Sequence, residues 1–335
     1  MLLPSRHTVA ARDVELFDRL LRSFVPPGAF DVHAHLYPLA SCGFDFPADR
    51  LASDADVGIA TYRLTTEAWM GDRSPRRGLF FGIPSSPRVD VTATNGFVAR
   101  EVARADGSLG LMLVKPGDDP AAVEATLRGG RFAGFKVYHT FAARGDTPNA
   151  ELAEYLPAWL WELADKHGSI IMLHLVKALA LADAGNQRGL RENLSRFRNA
   201  KVILAHAARG FCADHTIDGI GALAGFENVF FDTSAICEAG ALLAILREFG
   251  AGRLMFGTDY PTSSMRGRCV SVADGFVWLS PNTVDWNASA HGQPTLIGIE
   301  SLLALKQAVK LAGLGDAEVE AIFFRNATNL LAHGR

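Results

Sequence analysis

The segment at residues 30–35 reads FDVHAH, in which apolar and polar residues alternate and the last two polar residues are histidines. Side chains alternate between the two faces of a β-strand, so a strand here would point His33 and His35 to the same side. Two imidazoles on one face can bind a single divalent ion together. Taken alone, an HxH pair is a weak indication of a metal site, because a chain with ten histidines can contain one by chance.

Three further side chains of this kind come directly after apolar runs. His174 follows IIML, His206 follows VILA, and Asp259 follows LMFGT. Each has an ordinary structural interpretation, because a histidine at a strand end can be satisfied by its neighbours and an isolated aspartate often caps a helix. The combination of four such places decides in favour of a functional site, provided that the fold brings them together.

The elements that would position these side chains alternate along the chain. Apolar runs predict strands over residues 29–33, 79–83, 109–114, 132–138, 169–174, 201–206, 228–232 and 253–258. Helical spacing of apolar residues predicts helices over residues 14–24, 54–70, 98–105, 120–128, 151–167, 186–197, 217–224 and 239–249, with two or three more over 295–331. Apolar strands that alternate with helices predict a parallel sheet that is buried on both faces.

Eight such strands fit either a closed (β/α)₈ barrel or a long doubly wound sheet. No GxGxxG motif follows the first strand, which disfavours a dinucleotide-binding sheet. The predicted fold class is therefore α/β, a distorted (β/α)₈ TIM barrel with an N-terminal helix, long loops after the first and eighth strands, and C-terminal closing helices. The carboxyl ends of all strands meet at one mouth of such a barrel, so the candidate side chains would converge there.

The order of these residues resembles the amidohydrolase superfamily. The resemblance rests on the motifs FDVHAH, GFKVY, MLHLV, ILAHAARG, FGTDYP and FRNATNLL, which run from about Phe30 to Leu331. Within the superfamily the motifs are similar to the branch that includes metal-dependent hydrolases and aromatic-acid decarboxylases. They are specific to the superfamily and not to a substrate.

The resemblance implies one divalent metal ion, Zn²⁺ in the first place and Mn²⁺ as the alternative, bound by His33, His35, His174 and Asp259. Asp259 would also accept the proton of the attacking water, and His206 would hold or polarise the substrate or act as acid/base. Three imidazoles leave coordination positions open for substrate and water, which is the arrangement of catalytic metal sites.

Some superfamily members carry a carboxylated lysine that bridges two metal ions at the fourth strand. Lys136 and Tyr138 share a strand face in the segment GFKVY, and we expect an uncarboxylated lysine that contacts the substrate rather than a second metal. Arg209, in the segment HAARG, offers a guanidinium fork for a carboxylate. Lys136, Tyr138 and Arg209 are therefore the predicted substrate-binding residues, whereas Arg266 and Arg268 are at least as well explained as surface residues.

The bulk properties describe one large globular chain. With 335 residues and a net charge of −3, it offers no electrostatic case for binding nucleic acid or an anionic membrane. We expect an N-terminal helical extension over 1–28 and one catalytic domain over 29–335. The absence of CxxC pairs, of a signal-peptide apolar region and of an apolar run of ~20 residues predicts a cytoplasmic protein. A small anionic substrate and a homo-oligomer are the expected partners.

Three functions are compatible with these residues. The leading hypothesis is a metal-dependent hydrolase of a small carboxylate-bearing lactone, ester or amide. The alternative is a metal-dependent, non-oxidative decarboxylase of an aromatic or unsaturated acid, which would use the same ligands. Some decarboxylases of this branch carry a glutamate at the position of His33, so the intact histidine favours hydrolysis. A catalytically inactive barrel that serves as a binding scaffold is the third hypothesis, and the complete ligand set argues against it.

Overall fold

The computed structural model of the protein describes residues 9–42, 56–84, 86–288 and 292–332. Eight parallel strands form one sheet in the order β1 to β8, each hydrogen-bonded to the next. They are β1 Phe30–His35, β2 Arg77–Phe81, β3 Leu109–Leu113, β4 Phe132–Val137, β5 Ile170–Leu173, β6 Lys201–Leu204, β7 Val229–Asp232 and β8 Leu254–Met255. The segment after β8 closes the sheet, because the amide of His35 donates to the carbonyl of Tyr260 over 2.8 Å. The predicted distorted (β/α)₈ barrel is confirmed.

Alternate positions along the strands face two different cores. In β5, Ile170 and Met172 belong to an apolar cluster inside the barrel, whereas Ile171 and Leu173 belong to the larger cluster beneath the helices. Both sets are fully buried, which explains why the strands read as continuous apolar runs rather than as alternating ones. The same alternation continues past the strand ends, so His174, two residues after Met172, also faces the inside of the barrel.

The α-helices of the described residues lie before, between and after the strands. They are Ala11–Leu20, Ile59–Met70, Val91–Val102, Pro120–Arg128, Leu152–Tyr155, Ala158–His167, Ala184–Arg196, Ala213–Gly219, Ala239–Phe249, Ile297–Leu311, Asp316–Glu320 and Asn326–Ala332, with a π-helical turn at Ala321–Arg325. The N-terminal helix packs on the helix after β1, with the ring centroids of Phe17 and Trp69 5.7 Å apart. None of the helices in the described part of the chain has both the length and the apolar character that a membrane span requires.

Several predicted elements have other bounds in the structure. The single helix predicted over 151–167 is two helices, because Pro157 lies between them, lacks an amide hydrogen and ends the first helix. The strand predicted over 253–258 is confined to Leu254–Met255, and the following residues bend towards the barrel mouth. The helix predicted over 54–70 begins at Ile59, and residues 54 and 55 lie outside the described part of the chain.

The long loop after β8 contains a β-hairpin that the sequence analysis did not predict. Strands β9 Arg268–Val272 and β10 Gly275–Leu279 pair in antiparallel fashion around a two-residue turn. Ala273 occupies the first turn position with φ of 51°, the left-handed conformation that this tight turn requires. The pair Asp274-Gly275 between alternating apolar residues was the available signal, although it lies one residue beyond the turn that forms, Ala273-Asp274.

Candidate metal centre

Four histidines at the carboxyl ends of the strands have their Nδ1 atoms engaged in the same way. Nδ1 of His33 lies 2.9 Å from a carboxylate oxygen of Asp232. The remaining three Nδ1 atoms lie next to backbone carbonyl oxygens: His35 on Gly82 at 3.0 Å, His174 on Leu175 at 2.7 Å, and His206 on Ser234 at 3.0 Å. Because carboxylate and carbonyl oxygens only accept, each Nδ1 carries the proton and each Nε2 keeps its lone pair. Histidines that bind a metal through Nε2 are held in this manner.

The Nε2 atoms of the first strand meet Asp259. Nε2 of His33 and Nε2 of His35 each lie 3.4 Å from the same oxygen of Asp259. One ligand atom from each of these three residues falls within 4.8 Å of the others, as a metal site requires. Nε2 of His33 is buried and has no hydrogen-bond partner among the described residues. A divalent ion would satisfy this atom, so the residues fit the metal that the sequence implies.

Burial sets the protonation of these histidines. Burial, followed by the charge of Lys136, lowers the pKa of His33 to about 3. Burial, followed by the charge of His206, also holds the pKa of His174 well below its ordinary value. Both imidazoles are neutral near pH 7, which is the form that binds metal ions.

His174 and His206 lie beside this group rather than within it. Their ring centroids are 5.0 Å apart, and the ring of His206 is 4.7 Å from that of His33. Among the described residues, the groups of ligand atoms that meet within 4.8 Å do not include His174. The histidine nevertheless lines the same cavity as His33, His35, His206 and Asp259. The structure thus brings all five predicted residues to one mouth, with His174 at the margin of the group.

Asp232 is a site residue that the sequence analysis missed. Its carboxylate ends β7, is fully buried, and accepts hydrogen bonds from the His33 ring, from the amide of His206 and from the amide and hydroxyl of Ser234. Burial alone would raise the pKa of Asp232, but its interactions with His33 lower it to about 2. The same signal that singled out the histidines, an apolar run that ends in a polar side chain, was present in VFFD.

The chain leaves β6 through an unusual left-handed turn. Residues 206–209 all have φ between 49° and 62°, although none of them is glycine. Such a conformation costs ~1–2 kcal/mol per residue, so it persists only where neighbours hold it. The hydroxyl of Thr216 donates to the carbonyl of Ala207 over 2.8 Å, and the amide of His206 donates to Asp232 over 2.9 Å. These bonds keep the His206 ring over the site.

Lys136 enters the site from β4 as an inward-facing side chain. It is 1% exposed, and its Nζ lies 4.7 Å from the centre of the Phe81 ring without a hydrogen-bond partner among the described residues. Burial lowers the pKa of Lys136 to about 8, while the charges of Asp232 and Asp259 act in the opposite direction. A buried amine of this kind can accept an anionic group of a ligand.

Of the other two predicted substrate-binding residues, Tyr138 lines the cavity and Arg209 does not. Tyr138 lines the cavity beside His174, with ring centroids 4.6 Å apart. Arg209 is not among the cavity-lining residues, and its guanidinium donates to the carbonyl of Lys177 over 2.9 Å and lies over the Phe276 ring. Arg266, treated as a surface candidate in the sequence, lies on the cavity wall.

The cavity itself has a volume of about 420 Å³. The predicted metal residues form its floor together with Lys136 and Tyr138, and mainly apolar residues of the loops after β2 and β8 form its walls. Two larger cavities lie at the opposite end of the barrel, around Gly168 and Lys201, and contain none of the four histidines. The strand-end cavity combines these convergent polar groups with apolar walls, as expected of a binding site.

Comparison with known proteins identifies the family of the chain. A family model for amidohydrolases, Amidohydro_2, matches residues 30–332. The chain belongs to this amidohydrolase family. Among proteins of curated function, none matches the sequence. The N-terminal helix Ala11–Leu20 lies outside the matched region.

Solved structures of similar fold share little sequence with this amidohydrolase. An amidohydrolase from Burkholderia multivorans with bound zinc has a TM-score of 0.60 at 15% identity, covering 91% of this chain and 99% of its own. A probable 2-pyrone-4,6-dicarboxylic acid hydrolase from Acinetobacter baumannii with bound citric acid has a TM-score of 0.58 at 13% identity, covering 91% and 99%. The 5-carboxyvanillate decarboxylase from Sphingomonas paucimobilis has a TM-score of 0.55 at 14% identity, covering 92% and 99%. These similarities establish the barrel, and both hydrolases and a decarboxylase share it.

Proposed function

We propose that this amidohydrolase is a metal-dependent hydrolase of a small carboxylate-bearing lactone, ester or amide. One observation carries the metal dependence of this proposal: the Nδ1 atoms of all four strand-end histidines are tied to acceptors, which leaves four Nε2 lone pairs at one mouth. A barrel that served only as a scaffold would have no need for this shared tautomer. His33, His35, His174 and Asp259 would hold the ion, and the zinc in the Burkholderia relative supports Zn²⁺ before Mn²⁺.

In this proposal, Asp259 transfers the proton and His206 orients the substrate. When bound, a divalent ion supplies Lewis acidity, which polarises a carbonyl oxygen and eases the deprotonation of water. Asp259 takes the proton of the attacking water and delivers it to the leaving group. His206, whose Nδ1 is fixed by Ser234, presents Nε2 to the substrate and holds it in the orientation for attack.

Lys136 supports a substrate with a negative charge. Its buried Nζ, without a hydrogen-bond partner among the described residues, has the position and charge to bind a carboxylate next to the metal ligands. The citric acid bound to the Acinetobacter relative shows that a barrel of similar fold accommodates a small carboxylate. A Lys136→Met variant should therefore lose affinity for anionic substrates more than it loses kcat.

The experiment that tests the proposal separates hydrolysis from decarboxylation. The protein, reconstituted with Zn²⁺ or Mn²⁺, is incubated with a panel of lactones, esters, amides and aromatic carboxylates, and acid release and CO₂ release are measured in parallel. We expect acid release without CO₂, and an Asp259→Asn variant should lower kcat by about 10²–10⁴-fold. Release of CO₂ from an aromatic or unsaturated acid would instead establish the decarboxylase.

A further inference from the structure

A continuous row of rings runs from the metal centre to the hairpin β9–β10. Neighbouring ring centroids are separated by 4.6 Å between Tyr138 and His174 and by 5.0 Å between His174 and His206. The row continues with 5.2 Å from His206 to Phe211 and 5.4 Å from Phe211 to Trp278. All five side chains line the same cavity. Most neighbours in this row meet edge to face, so aromatic edges and faces both line the cavity from the metal centre to the hairpin.

Trp278 is held in place by the anchoring of its hairpin. The ring of His215 donates through Nε2 to the carbonyl of Asp274 over 2.8 Å, and Arg268 forms an ion pair with Glu300 at 3.2 Å. Phe211 packs against Trp278 in a T-shaped arrangement with an interplanar angle of 63°. The indole is therefore a preformed part of the cavity wall, so binding to it costs little ordering of the protein.

The upper walls of the cavity offer few polar partners to a ligand. Around Trp278 the lining side chains include Met265, Leu279 and Ile297, which are apolar. Thr262, Ser280 and Thr283 also line the cavity, but the hydroxyls of Ser280 and Thr283 already bond to each other, and that of Thr283 also to the carbonyl of Trp278. The guanidinium of Arg266 is already engaged by the buried carboxylate of Asp13. A ligand rich in hydroxyl groups would leave many of them unpaired against these walls, which is costly. A flat apolar ring meets no such penalty.

We propose that Trp278 is a specificity-determining residue that packs against a planar, conjugated ring of the substrate. The carboxylate of that substrate points away from the indole, towards Lys136 on the floor of the cavity. This inference rests on the proposed function, because it assumes that the strand-end cavity is where the substrate binds. It adds that the hairpin, and not only the metal ligands, selects which acid enters.

The test compares two probes with the same charge and nearly the same size. Benzoate has a planar ring, and cyclohexanecarboxylate has a puckered, saturated one. Dissociation constants for both are measured by titration calorimetry on the zinc-reconstituted protein and on Trp278→Ala, Trp278→Phe and Trp159→Phe. Trp159 is a matched control, since it is also half-buried but does not line the cavity.

The wild type should bind benzoate more tightly than cyclohexanecarboxylate, and Trp278→Ala should reduce that preference by about 2- to 12-fold. The Trp278→Phe and Trp159→Phe variants should keep most of it. Equal binding of the two acids to the wild type, no binding of benzoate, or an unchanged preference in Trp278→Ala would overturn the inference. If the alanine variant fails to fold, loss of the preference in Trp278→Leu serves the same purpose, and its retention there would overturn it.

Failure of the proposed function gives a different pattern. A protein that holds zinc and releases acid from substrates, but whose ring preference does not depend on Trp278, contradicts only the specificity inference. A protein with a Trp278-dependent preference that binds no metal and releases no acid contradicts the proposed hydrolase and leaves the binding surface intact.

Discussion

Replacing Asp232 by asparagine should weaken metal binding although Asp232 is not itself one of the proposed ligands. The carboxylate accepts the Nδ1 proton of His33 over 2.9 Å and thereby keeps the lone pair of that ring on Nε2. An asparagine retains one acceptor oxygen, which can still serve the amides of His206 and Ser234 on Oδ1. The Nδ2 amide group of the asparagine would then face the protonated Nδ1 of His33, and two hydrogen-bond donors would oppose each other.

The expected loss of metal affinity follows from these two opposed donors. His33 must either lose its Nδ1 hydrogen bond or move the proton to Nε2, where it blocks the metal ligand. Removal of such a partner lowers metal affinity by about 10- to 100-fold, or about 1.4–2.7 kcal/mol. The apoprotein loses one charge-assisted hydrogen bond, so its free energy of unfolding should fall by about 1.5–3 kcal/mol.

The assay is a zinc titration of wild type and Asp232→Asn in competition with a chelator of known affinity, together with urea unfolding of both apoproteins. Asp31→Asn is the matched control, because Asp31 is another fully buried carboxylate that contacts the backbone amide of His33 but not its ring. Its carboxylate accepts instead from the hydroxyls of Tyr62 and Thr258. We expect the control to change stability without a comparable loss of zinc affinity. Equal zinc affinity in wild type and Asp232→Asn would refute the reasoning about the His33 tautomer.

Three further predictions concern stability and reactivity. All four cysteines are buried, and burial raises the pKa of Cys237 to about 12. Because the reagent cannot reach buried thiols, the four cysteines should react with Ellman's reagent at pH 8 only after unfolding, and fast labelling of the native protein would contradict this. Asp13→Asn breaks the ion pair between the buried Asp13 and the half-buried Arg266 and should lower the free energy of unfolding by about 1.5–3 kcal/mol, which chemical denaturation measures. Ala208→Gly relieves left-handed backbone strain but loses a buried methyl group, so its free energy of unfolding should stay within about 1 kcal/mol of the wild-type value. The control Ala304→Gly, in a regular helix, should lower the free energy of unfolding by about 2 kcal/mol.

Most of the fold could be predicted from the sequence because local patterns determine it. Apolar runs located each of the eight strands, and the convergence of strand ends in a barrel correctly placed His33, His174, His206 and Asp259 at one mouth. The same rule applies to Asp232, which ends β7 as the histidines end their strands. Asp232 was therefore predictable from the local pattern, although the sequence analysis did not single it out.

Other features depend on contacts between distant parts of the chain. The ion pair of Asp13 with Arg266 joins residues 253 positions apart, and no local pattern indicates which carboxylate meets which guanidinium. The left-handed turn at residues 206–209 contains no glycine, so propensity predicts the opposite conformation and tertiary bonds override it. The position of Trp278 above the site follows from how the hairpin packs on Phe211, a contact between non-adjacent segments.

The most direct test of the metal centre is the metal content per chain after dialysis and reconstitution with Zn²⁺ or Mn²⁺, measured by inductively coupled plasma mass spectrometry. Wild type should retain about one ion per chain, and Asp259→Asn and the double variant His33→Asn/His35→Asn should retain much less. Two ions per chain would instead draw Lys136 into a binuclear site. No retained ion in wild type, or equal retention in the variants that lack these ligands, would contradict the assignment of His33, His35 and Asp259 as the metal site.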